Sequence, residues 1–281
     1  MIVSSANKRY KDLRVLAVTP YREHAYYIPY NDGSAGRYVQ SESGEDWFPN
    51  FTGLGRVTVF LAGGPGSGKS FRTAEIMRCF PPTADFILFT ALTEPDGHFS
   101  EFSKPNSPHS RKPDGSPRFW NIAEIARSKG AAGLTEDIVK RFTLDYIRSK
   151  GRIPVLIFDD IDKVRDKNVR QALYGVLEDA LANGRGHRKH NGEGDIHVIY
   201  TGHSLNDYLR TKYVTENCDY IIVFPNGTTH KQYKQLMQKI GISDELSEAA
   251  REWAKTDEHA AVFIKKTVPM FMCFGDTITL L

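Results

Sequence analysis

The feature that most constrains this chain is a glycine-rich stretch that directly follows an apolar run. Residues 63–70 read Gly-Gly-Pro-Gly-Ser-Gly-Lys-Ser, and residues 57–62 read Val-Thr-Val-Phe-Leu-Ala. A helix-compatible segment, residues 71–78, comes next. This order of strand, glycine loop, lysine, hydroxyl and helix matches the pattern G-x-x-x-x-G-K-[ST] in its expected structural context. The sequence therefore predicts a phosphate-binding loop (P-loop) between a buried strand and a helix.

The composition of this loop indicates what it binds. Glycines let consecutive backbone N–H groups point inward, and the helix that follows adds the positive end of its dipole. We expect Lys69 to reach the β- and γ-phosphates of ATP and Ser70 to bind a bridging Mg²⁺ ion. A glycine-rich turn without a ligand is the alternative. The nucleotide is expected to contact Gly63, Gly64, Pro65, Gly66, Ser67, Gly68, Lys69, Ser70 and Phe71.

A pair of aspartates follows a second apolar run. Residues 154–158, Pro-Val-Leu-Ile-Phe, lead into Asp159 and Asp160. Parallel sheets place ligands at the carboxyl ends of their strands, so both carboxylates are predicted to face the phosphates. Asp159 is expected to hold Mg²⁺ directly or through water, and Asp160 to orient and deprotonate the attacking water. Capping of the next helix is the alternative role for this pair.

A histidine follows a third apolar run. Residues 196–201, Ile-His-Val-Ile-Tyr-Thr, lead into Gly202 and His203. If this strand neighbours the P-loop strand, His203 lies beside the γ-phosphate and acts as a sensor that reports or positions it. A surface histidine or a hydrogen-bonded structural one is the alternative.

Strand and helix signals alternate after residue 56, which is typical of an α/β fold. We predict a P-loop NTPase of the ASCE type, with a central, mainly parallel sheet flanked by helices. Residues 100–118 are polar and are predicted to form an exposed excursion. The predicted strands are nearly free of charge, as in a sheet covered on both faces, and they span 57–62, 85–90, 153–158, 196–201 and 219–224.

The chain is predicted to contain three segments. These are a β-rich N-terminal appendage (1–56), a P-loop ATPase core (57–225) and a C-terminal helical and β extension (226–281). The extension is predicted to contain two helices and two strands, at 229–240, 244–255, 261–264 and 270–274.

Composition disfavours several classes of protein. No apolar run approaches the roughly 18 residues of a membrane helix, and the first residues lack an apolar signal segment, so we expect an intracellular protein without a membrane span. The three cysteines lie far apart, which disfavours a disulfide framework or structural zinc. A formal net charge of +3 does not decide whether the partner is a nucleic acid.

Taken together, these motifs resemble the FtsK/HerA superfamily of DNA-pumping ATPases, and within it the genome-packaging ATPases of poxviruses, giant viruses and membrane-containing icosahedral viruses. The resemblance covers residues 57–224 and rests on FLAGGPGSGKS and VLIFDDID, supported by ADFILFTALTEPD, DIHVIYTGHSLNDYL and ENCDYIIVF. It implies a motor that uses ATP and Mg²⁺ to translocate double-stranded DNA without sequence specificity, packaging a viral genome into a capsid. The implied location is the host cytoplasm or a viral factory, with association with the virion.

The resemblance also implies partners and a further catalytic group. Its members suggest a homo-oligomeric ring, a pentamer or a hexamer, with capsid vertex proteins as further partners. A basic stretch, residues 184–188, precedes the strand 196–201. The resemblance implies that Arg185 or Arg188 reaches the γ-phosphate of the neighbouring subunit as an arginine finger. A solvated loop and a contact with DNA phosphates are the alternative roles of this stretch.

Two other functions are compatible with the same motifs. An AAA+-type DNA replication ATPase, such as a helicase loader or initiator, would share the P-loop and the paired acids. It would also carry a helical lid after the last core strand, for which residues 229–255 are candidates. The β-like end of the chain argues against such a lid. The other alternative is a nucleotide-dependent scaffold without significant hydrolysis.

Overall fold

The computed structural model describes residues 13–18, 25–29, 38–40, 48–49, 51, 55–90, 97–104, 107, 109–128, 134–150, 153–186, 194–203, 208–267 and 270–281. The strands are β1 Leu13–Val18, β2 Ala25–Pro29, β3 Tyr38–Gln40, β4 Phe48–Pro49, β5 Thr58–Ala62, β6 Asp85–Thr90, β7 Phe119–Asn121, β8 Pro154–Asp159, β9 His197–Gly202, β10 Tyr220–Val223, β11 Val262–Lys265, β12 Phe271–Phe274 and β13 Thr277–Leu280. The α-helices are α1 Lys69–Arg78, α2 Ser100–Ser103, α3 Ile122–Ser128, α4 Glu136–Lys140, α5 Leu144–Lys150, α6 Lys167–Asn183, α7 Tyr208–Asn217, α8 His230–Ile240 and α9 Asp244–Ala254. Short 3-10 helices cover Gly97–Phe99, Ile161–Lys163 and Pro225–Gly227.

Backbone contacts divide the chain into two compact units. One is Gly53–Cys218, which contains β5 to β9 and α1 to α7. The other combines Met1–Thr52 with Asp219–Leu281 and contains the remaining elements. The predicted segments 1–56, 57–225 and 226–281 stay a prediction.

The sheet of Gly53–Cys218 is parallel and has the strand order β5-β9-β8-β6-β7. Strands β5, β6, β8 and β9 are buried along their whole length, which explains why they carry so few charged residues. One strand, β9, lies between β5, which precedes the P-loop, and β8, which ends at Asp159. This is the arrangement of an ASCE-type P-loop ATPase fold, so the predicted fold class is confirmed.

One region of this unit differs from the prediction. The stretch 100–118 was expected to be exposed, but Arg118 is only 3% exposed. Its guanidinium lies 4.7 Å from the centre of the Phe86 ring. It also donates hydrogen bonds to three backbone carbonyls, those of Phe80, Pro81 and Ala84. A buried guanidinium is tolerated where its N–H groups find acceptors, and the turn before β6 supplies them.

The other unit is built from antiparallel strands and two helices. Strands β10, β11, β12, β13 and β3 form consecutive antiparallel pairs, and β2, β1 and β4 form a separate sheet. Helix α8 begins with a capping box of Thr229 and Gln232 and ends at Gly241, whose φ is +88°. The predicted helices and strands after residue 226 are therefore confirmed. No helix in the described ranges is long and apolar enough to cross a membrane.

Candidate functional site

The P-loop joins the end of β5 to the start of α1. Gly66 and Gly68 have φ values of +73° and +97°, in the left-handed region that favours glycine. Gly68 is also the N-cap of α1 and provides no side-chain cap, so the first N–H groups of the helix can receive an anion. The hydroxyl of Ser67 is buried and has no hydrogen-bond partner among the residues described. The loop therefore offers donors that an oxyanion would satisfy.

Lys69 lies inside the loop and is only 5% exposed. Its Nζ donates to the carbonyl oxygens of Gly63 and Gly64, at 2.8 and 2.7 Å, and lies 3.3 Å from Nδ1 of His203. Burial lowers the pKa of Lys69, and the nearby Asp160 and Asp159 oppose this shift. Incoming phosphate oxygens can replace the carbonyl contacts without moving the lysine backbone.

Asp159 is the last residue of β8 and is 3% exposed. Its Oδ1 accepts a hydrogen bond of 2.8 Å from Oγ1 of Thr201, on the neighbouring strand β9. The same hydroxyl oxygen accepts a hydrogen bond of 3.2 Å from the backbone N–H of Asp160. Thr201 therefore fixes both aspartates against β9. We did not single it out from the sequence, although a hydroxyl near the end of an apolar strand is the signal that could have identified it.

Asp160 is the residue before the 3-10 helix Ile161–Lys163 and has a φ of +53°, the only positive φ of a non-glycine residue among those described. Its carboxylate accepts a hydrogen bond of 2.6 Å from Nζ of Lys163 and also contacts Nε2 of His203. Burial raises the pKa of Asp160, but the hydrogen bonds from His203 and Lys163 outweigh burial and hold it below its ordinary value. The carboxylate is therefore ionised near neutral pH and is already engaged by two donors.

His203 connects the lysine and the aspartate. Its Nδ1 faces Lys69 and its Nε2 faces Asp160. A neutral ring with its proton on Nε2 satisfies both contacts, since Nδ1 then accepts from the ammonium and Nε2–H donates to the carboxylate. The placement follows from the sheet, because β9 pairs with β5 and the N–H of Gly63 donates to the carbonyl of Gly202 at 3.2 Å. We call these three side chains the Lys69–His203–Asp160 line.

The remaining residues predicted to contact the nucleotide lie in the loop and in the first turn of α1. Ser70 is half-buried in the first turn of α1, and Pro65 and Gly66 are exposed at the tip of the loop. Phe71 is 41% exposed, with its ring centre 5.6 Å from that of His98. The roles of these residues in holding ATP and Mg²⁺ stay predictions.

The structure describes one of the two predicted arginine fingers, Arg185, and it is not at this site within one chain. Arg188 lies outside the described residues. Arg185 is exposed and follows the end of α6, before β9 begins. Because β9 has six residues, its length of about 17 Å separates its amino end from His203 at its carboxyl end. Arg185 and the Lys69–His203–Asp160 line therefore lie at opposite edges of the parallel sheet.

A cavity of about 640 Å³ opens at the same edge as Arg185. Its lining includes Asp85 and Pro154, the first residues of β6 and β8, and the aromatic side chains of Trp120, Phe142 and Tyr146. The mainly apolar lining and its place at the amino ends of the strands separate this cavity from the P-loop. None of the residues predicted to contact the nucleotide lines it.

Comparison with known proteins yields one sequence relative and several distant structures. No protein-family model matches the chain. A protein of the Sputnik virophage, named uncharacterized protein V3, is 25% identical over an alignment of 219 residues, which covers 74% of this chain and 74% of that protein.

Three solved structures illustrate the distant likenesses. The cytoplasmic domain of the Type VII secretion ATPase EccC of Thermomonospora curvata is 12% identical, with a TM-score of 0.39 over 98% of this chain and 27% of that chain. The pCW3 conjugation coupling protein TcpA with ATPγS is 12% identical, with a TM-score of 0.41 over 94% and 78% of the two chains. The ORC2 protein of Aeropyrum pernix is 15% identical, with a TM-score of 0.29 over 72% and 51%. The fold assignment rests on the strand order and the P-loop.

Proposed function

We propose that this chain is a Mg²⁺-dependent ATPase motor that translocates double-stranded DNA and packages a viral genome into a capsid. The observation that carries the ATPase part is the Lys69–His203–Asp160 line. It joins a phosphate-binding lysine to a carboxylate at the carboxyl edge of a parallel sheet, where ligands of such sheets bind.

The P-loop is the proposed binding site for the triphosphate. Its backbone N–H groups and the Ser67 hydroxyl donate to phosphate oxygens, and Lys69 adds a positive charge. Lys69 turns from the carbonyls of Gly63 and Gly64 to the β- and γ-phosphates. This exchange loosens the contact between Lys69 and His203, so His203 registers whether a γ-phosphate is present.

Mg²⁺ would be held by the hydroxyl of Ser70 and the carboxylate of Asp159, which supply the oxygen ligands that this ion prefers. When bound, the ion neutralises charge on the β- and γ-phosphates. The hydrogen bond from Thr201 orients the Asp159 carboxylate for this role.

Asp160 is the proposed general base. It accepts a proton from the water molecule that attacks the γ-phosphorus, while the bond from that phosphorus to the β,γ-bridging oxygen breaks. Its resting contacts with Lys163 and His203 compete with this water for the carboxylate oxygens. The resting contacts therefore restrain hydrolysis until the nucleotide is in place.

Arg185 of a neighbouring subunit is proposed to complete the site. Within one chain it lies at the amino edge of the sheet, so it can approach a γ-phosphate only when a second copy docks against the carboxyl edge. An arginine finger supplied in this way stabilises the charge of the transition state. Hydrolysis is then confined to the assembled ring, a pentamer or a hexamer.

The DNA and viral parts of the proposal rest on the sequence resemblance and on the viral source of the relative. A translocating motor grips DNA through its phosphates without reading bases, so its DNA affinity falls steeply with salt. The AAA+ alternative is less well supported, because the two helices α8 and α9 are followed by β11, which pairs antiparallel with β10. A helical lid would not return the chain to such a strand.

The test is ATP turnover with and without long double-stranded DNA, at low and moderate salt. Asp160→Asn is expected to lower kcat by about 10²- to 10⁴-fold while ATP still binds, because a general base contributes that much. Asp137→Asn, the same exchange at an exposed position of α4, is the matched control. If the assembled wild type does not hydrolyse ATP, the scaffold alternative replaces the motor. If DNA does not stimulate turnover, the chain is an ATPase with another partner.

A further inference from the structure

Arg148, on α5, contacts the backbone that carries Arg185. Its Nη2 donates to the carbonyl oxygens of Asn183 and Arg185, at 3.0 and 3.4 Å. Its Nε donates to the carbonyl oxygen of Gly194 at 3.1 Å. One guanidinium therefore joins the chain on both sides of the basic stretch, and it does so from a separate helix.

A second arginine, Arg56, contacts the end of α6. Arg56 donates to the carbonyl oxygen of Leu181 at 3.1 Å, to that of Ile196 at 2.9 Å, and to that of Ala180. Two of these carbonyls, those of Ala180 and Leu181, lie in the last turn of α6, and that of Ala180 also accepts from the N–H of Gly184. Arg56 thus closes the end of α6 against β9, whereas Arg148 reaches the carbonyl of Arg185 itself.

The backbone adds its own contacts at the same place. The N–H of Ile196 donates to the carbonyl of Gly184 at 2.7 Å, and the N–H of Gly186 donates to Oδ1 of Asp195, also at 2.7 Å. Arg185 is therefore held between two anchored neighbours, while its own side chain is exposed. The direction in which the Arg185 side chain leaves the backbone is therefore set by these contacts.

We propose that Arg148 is a positioning residue for Arg185, which it holds ready to enter the site of the neighbouring subunit. The inference rests on the proposed role of Arg185 in trans. The physical reason is that a long side chain on a fixed backbone loses less conformational freedom when it docks. A displacement of about 1 Å in a catalytic group can lower the rate by about 10²-fold.

Arg148→Lys is the variant that tests this role. Lysine keeps the positive charge, and with it the 3.8 Å ion pair to Asp145, but an ammonium cannot span three carbonyls as a planar guanidinium does. Arg111→Lys is the matched control, since Arg111 also donates to a loop carbonyl, that of Gly115, at 2.7 Å. We expect Arg148→Lys to lower kcat of the ring by about 10- to 100-fold with unchanged binding of an ATP analogue, and Arg111→Lys to leave both unchanged.

Mixed rings separate positioning from a structural role. In rings that combine Arg148→Lys with Lys69→Ala subunits, the intact Arg185 of the second variant faces the intact P-loop of the first, so turnover is expected to return. The melting temperature of each variant is measured alongside. If Arg148→Lys retains wild-type kcat, or if its assembled rings with Lys69→Ala turn over no faster than rings of Arg148→Lys alone, the proposal is overturned.

The proposed function fails in a different way from this inference. If Arg185→Ala and Lys69→Ala subunits do not restore each other, Arg185 does not act in trans and the function itself needs revision. If that pair does restore turnover and the Arg148→Lys pair does not, only the role of Arg148 is lost.

Discussion

The two edges of the parallel sheet hold their charged side chains in different ways. At the carboxyl edge, Lys69, His203, Asp160 and Lys163 contact one another. At the amino edge, arginines donate to backbone carbonyls instead. Arg56, Arg118 and Arg148 each donate to three of them.

This difference suits the two edges to different roles, ligand binding at the carboxyl edge and support of the backbone at the amino edge. A side-chain contact at the carboxyl edge can be exchanged for a phosphate, a metal ion or a water molecule without changing the course of the backbone. An arginine at the amino edge supplies hydrogen bonds to the backbone itself, so its loss removes donors that hold the course of the chain. We expect variants at the carboxyl edge to lose turnover, and variants at the amino edge to lose geometry or stability.

The largest effect is expected at Arg185, for which we propose a role in the site of a neighbouring subunit. Arg185→Ala should lower kcat of the ring by about 10³- to 10⁵-fold, the range found for arginine fingers. Rings that mix Arg185→Ala with Lys69→Ala should regain turnover, because some sites combine an intact P-loop with an intact Arg185. Steady-state phosphate release from rings mixed at several ratios is the measurement.

The control for this experiment pairs two lesions at one edge. Lys69→Ala and Asp160→Asn both lie at the carboxyl edge, so no mixed site contains an intact lysine and an intact aspartate. These rings should stay inactive at every ratio. Turnover in them would mean that the carboxyl edges of two subunits share a site. Lys69 and Asp160 would then not act within one subunit.

A smaller effect is expected in the pH dependence of stability at the amino edge. His197, the first residue of β9, is 8% exposed, and its Nδ1 accepts a hydrogen bond of 3.0 Å from the backbone N–H of Val57. Burial lowers the pKa of His197 from 6.5 to about 4. The unfolded chain therefore binds this proton more tightly, and the free energy of unfolding falls as the pH drops from 6.5 towards 4, by up to about 3 kcal/mol.

Urea unfolding of the whole chain between pH 7 and pH 4.5 measures this change. In His197→Gln, which keeps an acceptor but does not titrate, stability should depend less on pH over that range. His259→Gln, at an exposed position, should behave as the wild type does. Equal pH profiles for all three proteins would contradict a buried neutral His197.

The smallest effect is expected at Lys163. Its ammonium contacts the Asp160 carboxylate at 2.6 Å, but its side chain is 48% exposed, and such pairs contribute about 0.2–1 kcal/mol. Lys163→Met should therefore raise turnover without DNA by at most about 5-fold, because it removes one restraint on the base. Lys167→Met, also exposed, is the control. A fall in turnover would mean that Lys163 assists the reaction and does not hold back Asp160.

Much of this fold could be predicted from the order of residues, because strands buried on both faces leave uninterrupted apolar runs. The observed bounds of β5, β6, β8 and β9 differ from the predicted ones by one residue at most. The P-loop and the two aspartates were recognisable for a related reason, since local spacing alone defines them.

Contacts between strands were beyond the same reasoning. That Thr201 binds Asp159, and that His203 contacts Asp160, depends on how β9 and the turn after β8 approach each other in space. Arg118 was expected to be exposed because its neighbours in sequence are polar, while its carbonyl partners come from the turn before β6. Polar pairing across the sheet has no periodic signature.

The left-handed backbone of Asp160 has a consequence for how such a protein can change over time. Glycine and asparagine adopt that conformation at least as readily as aspartate does. Replacement by either would delete the carboxylate while leaving β8 and the following turn intact. The fold therefore does not require an aspartate at position 160. A lineage could keep a stable, nucleotide-clasping protein that no longer turns over, and only the need for work would preserve the aspartate.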